Sequence, residues 1–287
     1  MGINNIIRYE HEHEHDGLVR PRSLGEKQGG LVQEFEIEEE LPSAMGSSVS
    51  TSSVISDPNS SPFQLNRDST VHDVLKANRT AIDRLQATTP RVLEKSGLGQ
   101  SPHTLWVGCS DSRVNECTAL GCVPGEIFTL RNIANLISYQ DFSSMSALQF
   151  AIDVLKVKRI IVCGHTDCGG VWASLSNKKI GGVLDNWLAP VRQLRASHLA
   201  ALKKIEDPFD RCTKLSELNI ANSISQIRKH ASFVAASKFE GLEIMGFIYD
   251  VKTGLLREVE TVNEFSDDQD LDDVFHLHDG DNGERAH

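Results

Sequence analysis

The chain has 287 residues, 24% charged and 39% hydrophobic, with a net charge of −11. That is the composition of a globular protein with room for one or two domains, not of a fibrous or wholly disordered chain. No run approaches 18 consecutive apolar residues, so a membrane-spanning helix is not expected, and no basic stripe interleaved with aromatics marks a nucleic-acid footprint.

The charge is unevenly spread, with acidic ends and a mildly basic middle. Residues 1–66 read as an acidic, serine-rich disordered tail and linker, 67–260 as the folded domain and 261–287 as a second acidic disordered tail. The start, MGINNIIRYEHEHEHDG, lacks the basic n-region and apolar core of a secretory signal and is too acidic for a good mitochondrial presequence. Ile6 stands where the myristoylation pattern needs Ser or Thr. The expected location is therefore cytoplasmic rather than mitochondrial. His11, His13 and His15 form a short run that could attract a metal, read here as a solvated tail. Residues 43–62 are nearly half serine. Such a segment buries too little apolar surface to offset its ordering entropy and reads as a flexible linker. Towards the end, SDDQDLDD is a like-charge block and reads as disordered.

Order is expected to begin near Thr70, which with Asp73 resembles a capping box. Val71, Val74, Leu75, Ile82 and Leu85 recur at helical spacing, and Gly97 and Gly99 end that region. TLWVG, Thr104 to Gly108, reads as a short buried strand, and EIFTL, Glu126 to Leu130, as a second. Met145, Leu148, Ile152 and Leu155 give helical spacing between Ser143 and Leu155. RIIVC, Arg159 to Cys163, is an apolar, β-branched third strand. A long helical zone covers roughly 185–238. EIMGFIY, Glu243 to Tyr249, is a fourth strand, and DVKTG turns it into a last strand, LLREVE, as a hairpin. Strands alternating with helices predict an α/β fold. Its central, mostly parallel sheet has four parallel strands and an antiparallel C-terminal edge strand, flanked by helices.

Two motifs follow the first and third strands, 56 residues apart: Cys109-Ser110-Asp111-Ser112-Arg113 and His165-Thr166-Asp167-Cys168. Sites in open α/β sheets form beyond the carboxyl ends of the strands, where both motifs lie. Cys109, His165 and Cys168 are ligands of the kind zinc prefers. Three protein ligands leave a fourth position open, as in catalytic rather than structural sites. Six cysteines in a long chain without an export signal favour metal binding or burial over disulfides. Burial suits Cys117, Cys122 and Cys212. Cys163 is less clear, since it lies two residues before His165 and could share its strand face. Metal would lower the pKa of a bound water. Asp111 is placed to orient that water, and the planar fork of Arg113 can hold Asp111 bidentately. If Arg113 let go, Asp111 could swing into the open zinc position and close the site.

These residues resemble those of a β-class carbonic anhydrase of the plant and fungal kind. CSDSR followed by HTDCGG is that family's double signature. The likeness runs from about Val71 to Glu260, through GQSPHTLWVGCSDSR, RNIAN, LQFAIDVLKVKRIIVCGHTDCGG and IYDVKTG. The resemblance implies a zinc lyase that reversibly hydrates CO₂ to bicarbonate and a proton by a zinc-bound hydroxide. One Zn²⁺ per subunit would be held by Cys109, His165 and Cys168, with Asp111 and Arg113 as the catalytic dyad. Gln100, Phe128, Ile133 and Phe150 match positions that line the CO₂ pocket, Phe150 standing where plant members often have Tyr. Gln100 is expected to reach the zinc site of a partner subunit, implying a homodimer or higher homo-oligomer. The N-terminal helix near 71–95 would embrace that partner as a dimerisation helix. Trp106 and Arg131 match positions that hold an inhibitory bicarbonate in some bacterial relatives, though Trp106 also reads as core. No residue stands out as proton shuttle; His103 is near in sequence but equally reads as a surface residue. Alternative readings are a hydrolase of CS₂ or COS on the same scaffold, a catalytically weak zinc or bicarbonate sensor, and a redox sensor using Cys163 and Cys168.

Overall fold

A computed structural model describes residues 62–261. The serine-rich linker, the HEHEH run and the SDDQDLDD block lie outside the described residues. The first helix, α1 (Val71–Thr88), starts as expected: Thr70 Oγ1 accepts from Asp73 N, and the Asp73 carboxylate accepts from Thr70 N in return. It does not run on to residue 95. The chain breaks at Thr89-Pro90-Arg91, and α2 (Val92–Ser96) begins after Arg91 takes a φ of 68°. Proline removes a main-chain donor and disfavours helical backbone in the residue before it. No residue of α1 is buried, and Val71, Val74 and Leu75 are all exposed.

The sheet contains β1 (Thr104–Cys109), β2 (Ile127–Asn132), β3 (Arg159–His165), β4 (Glu243–Tyr249) and β5 (Leu256–Val259), in the order β2-β1-β3-β4-β5. The first four are parallel to their neighbours and β5 is antiparallel to β4, the arrangement expected. Each parallel strand is joined to the next by a helical crossover. These are α3 (Glu116–Leu120), then α4 (Phe142–Gln149), whose end widens into a π-helical turn at Phe150–Val154, and finally a group of six helices. The six are α5 (Gly169–Leu175), α6 (Val183–Trp187), α7 (Ala189–Ser197), α8 (Leu199–Leu202), α9 (Pro208–Arg228) and α10 (Ala231–Phe239).

Alternation along the strands sorts the core. Leu105, Val107, Ile160, Val162 and Ile248 point to one face, where Ile220, Ile224 and Ile227 of α9 cover them with Leu148 and Ile152. Trp106, Ile161 and Cys163 point to the other. α9 places Cys212, Leu215, Asn219, Ile220, Ser223, Ile224 and Ile227 inward at three- and four-residue spacing, the stripe of an amphipathic helix. Truncating Ile220 or Ile224 to Ala would cost about 2–5 kcal/mol. Beyond the strand ends, Cys109, Cys168, Val171, Leu188, Val191, Leu202, Cys212 and Leu215 form a separate apolar cluster.

Candidate metal centre

Strands β1 and β3 are hydrogen-bonded neighbours. Their last residues are Cys109 and His165, so parallel pairing closes the 56-residue gap by putting both at one end of the sheet. Cys168 follows three residues later as the N-cap of α5. The three ligand atoms lie within 4.8 Å of one another, and all three side chains are buried.

Tight packing makes this approach possible. A Cβ on Gly164 would sit 2.9 Å from Ile220 Cδ1, and one on Gly170 would sit 3.1 Å from Ala134 Cβ. Both glycines let the ligand loop press against α9 and the RNIAN turn. That turn is itself fastened. Asn132 bonds Leu136 through both its amide oxygen and its amide nitrogen. Asn219 Nδ2 and Ser223 Oγ of α9 donate to the carbonyls of Ala134 and Asn135, which hold positive φ values of 63° and 44°. On the β4 side, Thr166 N donates to Tyr249 O at 2.9 Å and Thr166 Oγ1 accepts from Val251 N at 3.1 Å.

The donor set fits a divalent cation. His165 Nδ1 lies 2.9 Å from Thr166 O. A carbonyl only accepts, so Nδ1 carries the proton and Nε2 presents a lone pair. Nε2 is buried and has no hydrogen-bond partner, a cost that a metal bond removes. The two thiols pull in opposite directions. Cys109 is pushed well down by the hydrogen bond it accepts from Cys168, with His165 also lowering it. Cys168 is pushed well up by that same contact and by burial. The protein alone therefore accommodates one negative sulfur here, and a second needs a cation. Buried thiolate and imidazole ligands suit zinc.

Asp111 stands beside the cluster, its Oδ2 3.8 Å from His165 Nε2. Arg113 grips it with two prongs, Nη2 to Oδ2 at 2.8 Å and Nε to Oδ1 at 3.0 Å, and Arg113 N donates to Oδ1 at 2.9 Å. These contacts hold the Asp111 carboxyl down at about 2, against the opposing effect of burial.

Two parts of the site are not marked by any spacing in the sequence. Arg113 Nη1 also reaches Asp167 Oδ2 at 3.0 Å, and Trp172 Nε1 donates to Asp167 Oδ1 at 2.8 Å. Asp167 holds a left-handed φ of 59°, a conformation Asp tolerates better than most residues. Its place inside the HTDC motif was the available signal. Arg131 donates through Nε to Cys109 O at 3.0 Å, and through Nη2 to Asp111 O and Val114 O, both at 2.7 Å. It clamps the whole first ligand loop. Trp106 is fully buried in the core.

Ile133 lines a cleft of about 700 Å³ with Ser110, Leu136, Val183, Leu184 and Trp187. Phe128 and Phe150 do not line it; their rings meet each other, centroids 5.8 Å apart. Gln100 is exposed on the segment between α2 and β1. His103 faces Glu126 at 3.7 Å. Cys163 packs against Trp106 and Ile161 rather than with the ligands, and burial pushes its thiol up to about 12. A thiol so rarely ionised is a poor redox sensor.

Residues 104–256 match the carbonic anhydrase family. The chain is 43% identical over 284 residues to a carbonic anhydrase of Candida albicans, covering 97% of this chain and 96% of that one. Among solved structures it is similar to the β-carbonic anhydrase CafA of Aspergillus fumigatus, at 39% identity and a TM-score of 0.68, over 71% of this chain and 97% of that one. One of the two tetrameric β-carbonic anhydrases of Sordaria macrospora gives 37% identity and a TM-score of 0.64, over 66% and 95%.

Proposed function

This chain belongs to the β-class carbonic anhydrases, and we propose that it reversibly hydrates CO₂ to bicarbonate and a proton at the Cys109, His165 and Cys168 centre. The observation that carries the reading is the orphaned, buried Nε2 of His165, with an ionised carboxylate 3.8 Å away. Cys109, His165 and Cys168 would hold zinc. Zinc, when bound, supplies Lewis acidity that makes a water molecule nucleophilic near neutral pH.

The rest of the chemistry falls to the chain's own groups. Asp111 is kept ionised by Arg113, so its Oδ2 is an acceptor for a proton on the attacking water at physiological pH. The two-pronged grip fixes the direction of that acceptor and keeps the carboxylate from drifting towards the ligands. The apolar cluster around Cys109 and Cys168 keeps the dielectric low, which strengthens these interactions. Ile133 and the cleft beside it offer CO₂ an apolar approach.

The proposal includes a homodimer or larger assembly. Exposed Val71, Val74 and Leu75 on a helix with no buried residue support it, as does the tetrameric state of the Sordaria enzymes. Gln100 would then serve a neighbouring subunit's site. A cytoplasmic location is also proposed, and cell fractionation tests it. Stopped-flow CO₂ hydration on protein of measured zinc content tests the reaction. Negligible turnover at one zinc per chain would overturn the reading, and CS₂ or COS turnover in its place would favour the hydrolase.

A further inference from the structure

A second cavity of about 380 Å³ lies among α5, α7, α8 and α9, and it includes none of the metal ligands. Its walls are Trp172, Leu175, Leu199, Leu202 and Pro208, with Arg195, Lys203 and Arg211 around them. The volume is in the range of small-molecule sites, and an apolar lining with a few polar groups is their usual character. No carboxylate lines it. The guanidinium of Arg195 donates to Ser174 O, Ser176 O and Asn177 Oδ1. That of Arg211 donates to Ile205 O and Glu206 O. Every one of these acceptors is neutral. Among the described residues, none of the three cations is paired with an acid. Three positive charges with no acid within ion-pair reach, around an apolar pocket, attract an anion with an apolar body, and a guanidinium suits a carboxylate.

The cavity is also wired to the dyad. Trp172 forms part of its wall and donates to Asp167, which holds Arg113, which holds Asp111. We propose that this pocket is an effector site for an amphipathic monocarboxylate, its carboxylate held by Lys203, Arg195 and Arg211 and its apolar part against Trp172 and Leu202. Occupancy acts on the reaction through the Trp172–Asp167–Arg113 contacts. That last step rests on the hydration reading above; binding does not.

Calorimetric titration of the full-length zinc enzyme with octanoate tests the site, beside n-octanol, Lys203→Glu, Leu199→Asp and Lys158→Glu. Lys158→Glu makes the same charge change just before β3, outside the pocket. One octanoate should bind per chain and n-octanol should bind far more weakly. Lys203→Glu should weaken octanoate at least about tenfold, since it removes one charge-assisted contact and adds repulsion. Leu199→Asp should weaken it as well, and Lys158→Glu should bind as wild type does. In hydration assays octanoate should change the wild-type rate, and Lys203→Glu should lose that response relative to its own unliganded rate. Absence of binding, equal binding by Lys203→Glu, or an equal rate response in both proteins would overturn the proposal. A zinc-loaded wild-type enzyme that binds octanoate but shows no hydration either with or without it would instead overturn the reading of the reaction.

Discussion

Asp167 holds Arg113 twice, accepting Nη1 on its carboxylate at 3.0 Å and Nη2 on its own carbonyl at 3.1 Å. A residue between His165 and Cys168 therefore orients the guanidinium four positions after Cys109. Asp167→Asn should leave zinc content unchanged and lower kcat for hydration about 10- to 100-fold, the usual cost of losing an outer-shell partner. Stopped-flow assay with metal analysis checks this. Wild-type kcat in the variant would mean that the Asp111 contacts alone position Arg113.

Asp111→Asn should keep zinc and lose hydration about 10- to 1,000-fold, because a neutral amide accepts the water's O–H and Arg113 more weakly than the charged carboxylate does and cannot hold both prongs of the guanidinium. Cys109→Ser is the matched control, since it should lose zinc together with activity. A fully active Asp111→Asn would remove Asp111 from the mechanism.

The pairing of Asp111 with Arg113 has a pH signature. Its folded carboxyl is held at about 2, below the roughly 3.9 of an unfolded Asp. The sign follows: the stabilisation is fully present above about pH 4 and is lost as pH falls through about 2. The stability difference between wild type and Asp111→Asn should be constant from pH 7 to 5 and shrink below pH 4. Thermal unfolding of both proteins across that range measures it. A gap that stayed constant down to pH 3 would contradict the assignment.

Removing the metal should destabilise the fold, because Nε2 of His165 and two buried sulfurs lose their partner. Free zinc at about 1,000 times its dissociation constant would contribute about 4 kcal/mol. Chelation should lower Tm and added zinc should restore it, both read by calorimetry.

Val74→Glu with Leu75→Glu should dissociate the proposed homo-oligomer, as neither side chain is buried by its own chain. Sedimentation velocity reads the result. An unchanged oligomer would place the interface elsewhere.

Much of the sheet and the convergence of Cys109, His165 and Cys168 were legible because β1 and β3 are short, apolar and bounded by polar residues, and each motif sits where its strand stops. The helices were less so. The N-terminal helix expected near 71–95 is one segment that Pro90 divides. The helical zone expected over roughly 185–238 likewise breaks where Asp207 caps α9 and Pro208 takes its first position. The five residues of α3 are too few to show a period. Two features were beyond reach for a different reason. The bond between Arg113 and Asp167 spans 54 positions, and the cleft beside Ile133 borrows Val183 and Trp187 from a stretch without any motif. Both depend on which loops meet, and spacing along the chain does not carry that.

The groups that aim Cys109 and His165 are largely main chain. His165 is oriented by the carbonyl of Thr166, and Arg131 holds the first loop by the carbonyls of Cys109, Asp111 and Val114. A carbonyl oxygen belongs to every residue type, so no exchange of side chain at Thr166 or Val114 deletes the acceptor. Those acceptors are thereby insulated from sequence drift, and the mutational fragility of the alignment concentrates in the side chains that do the gripping: Arg131, Arg113, Asp167 and the Thr166 hydroxyl that accepts from Val251 N.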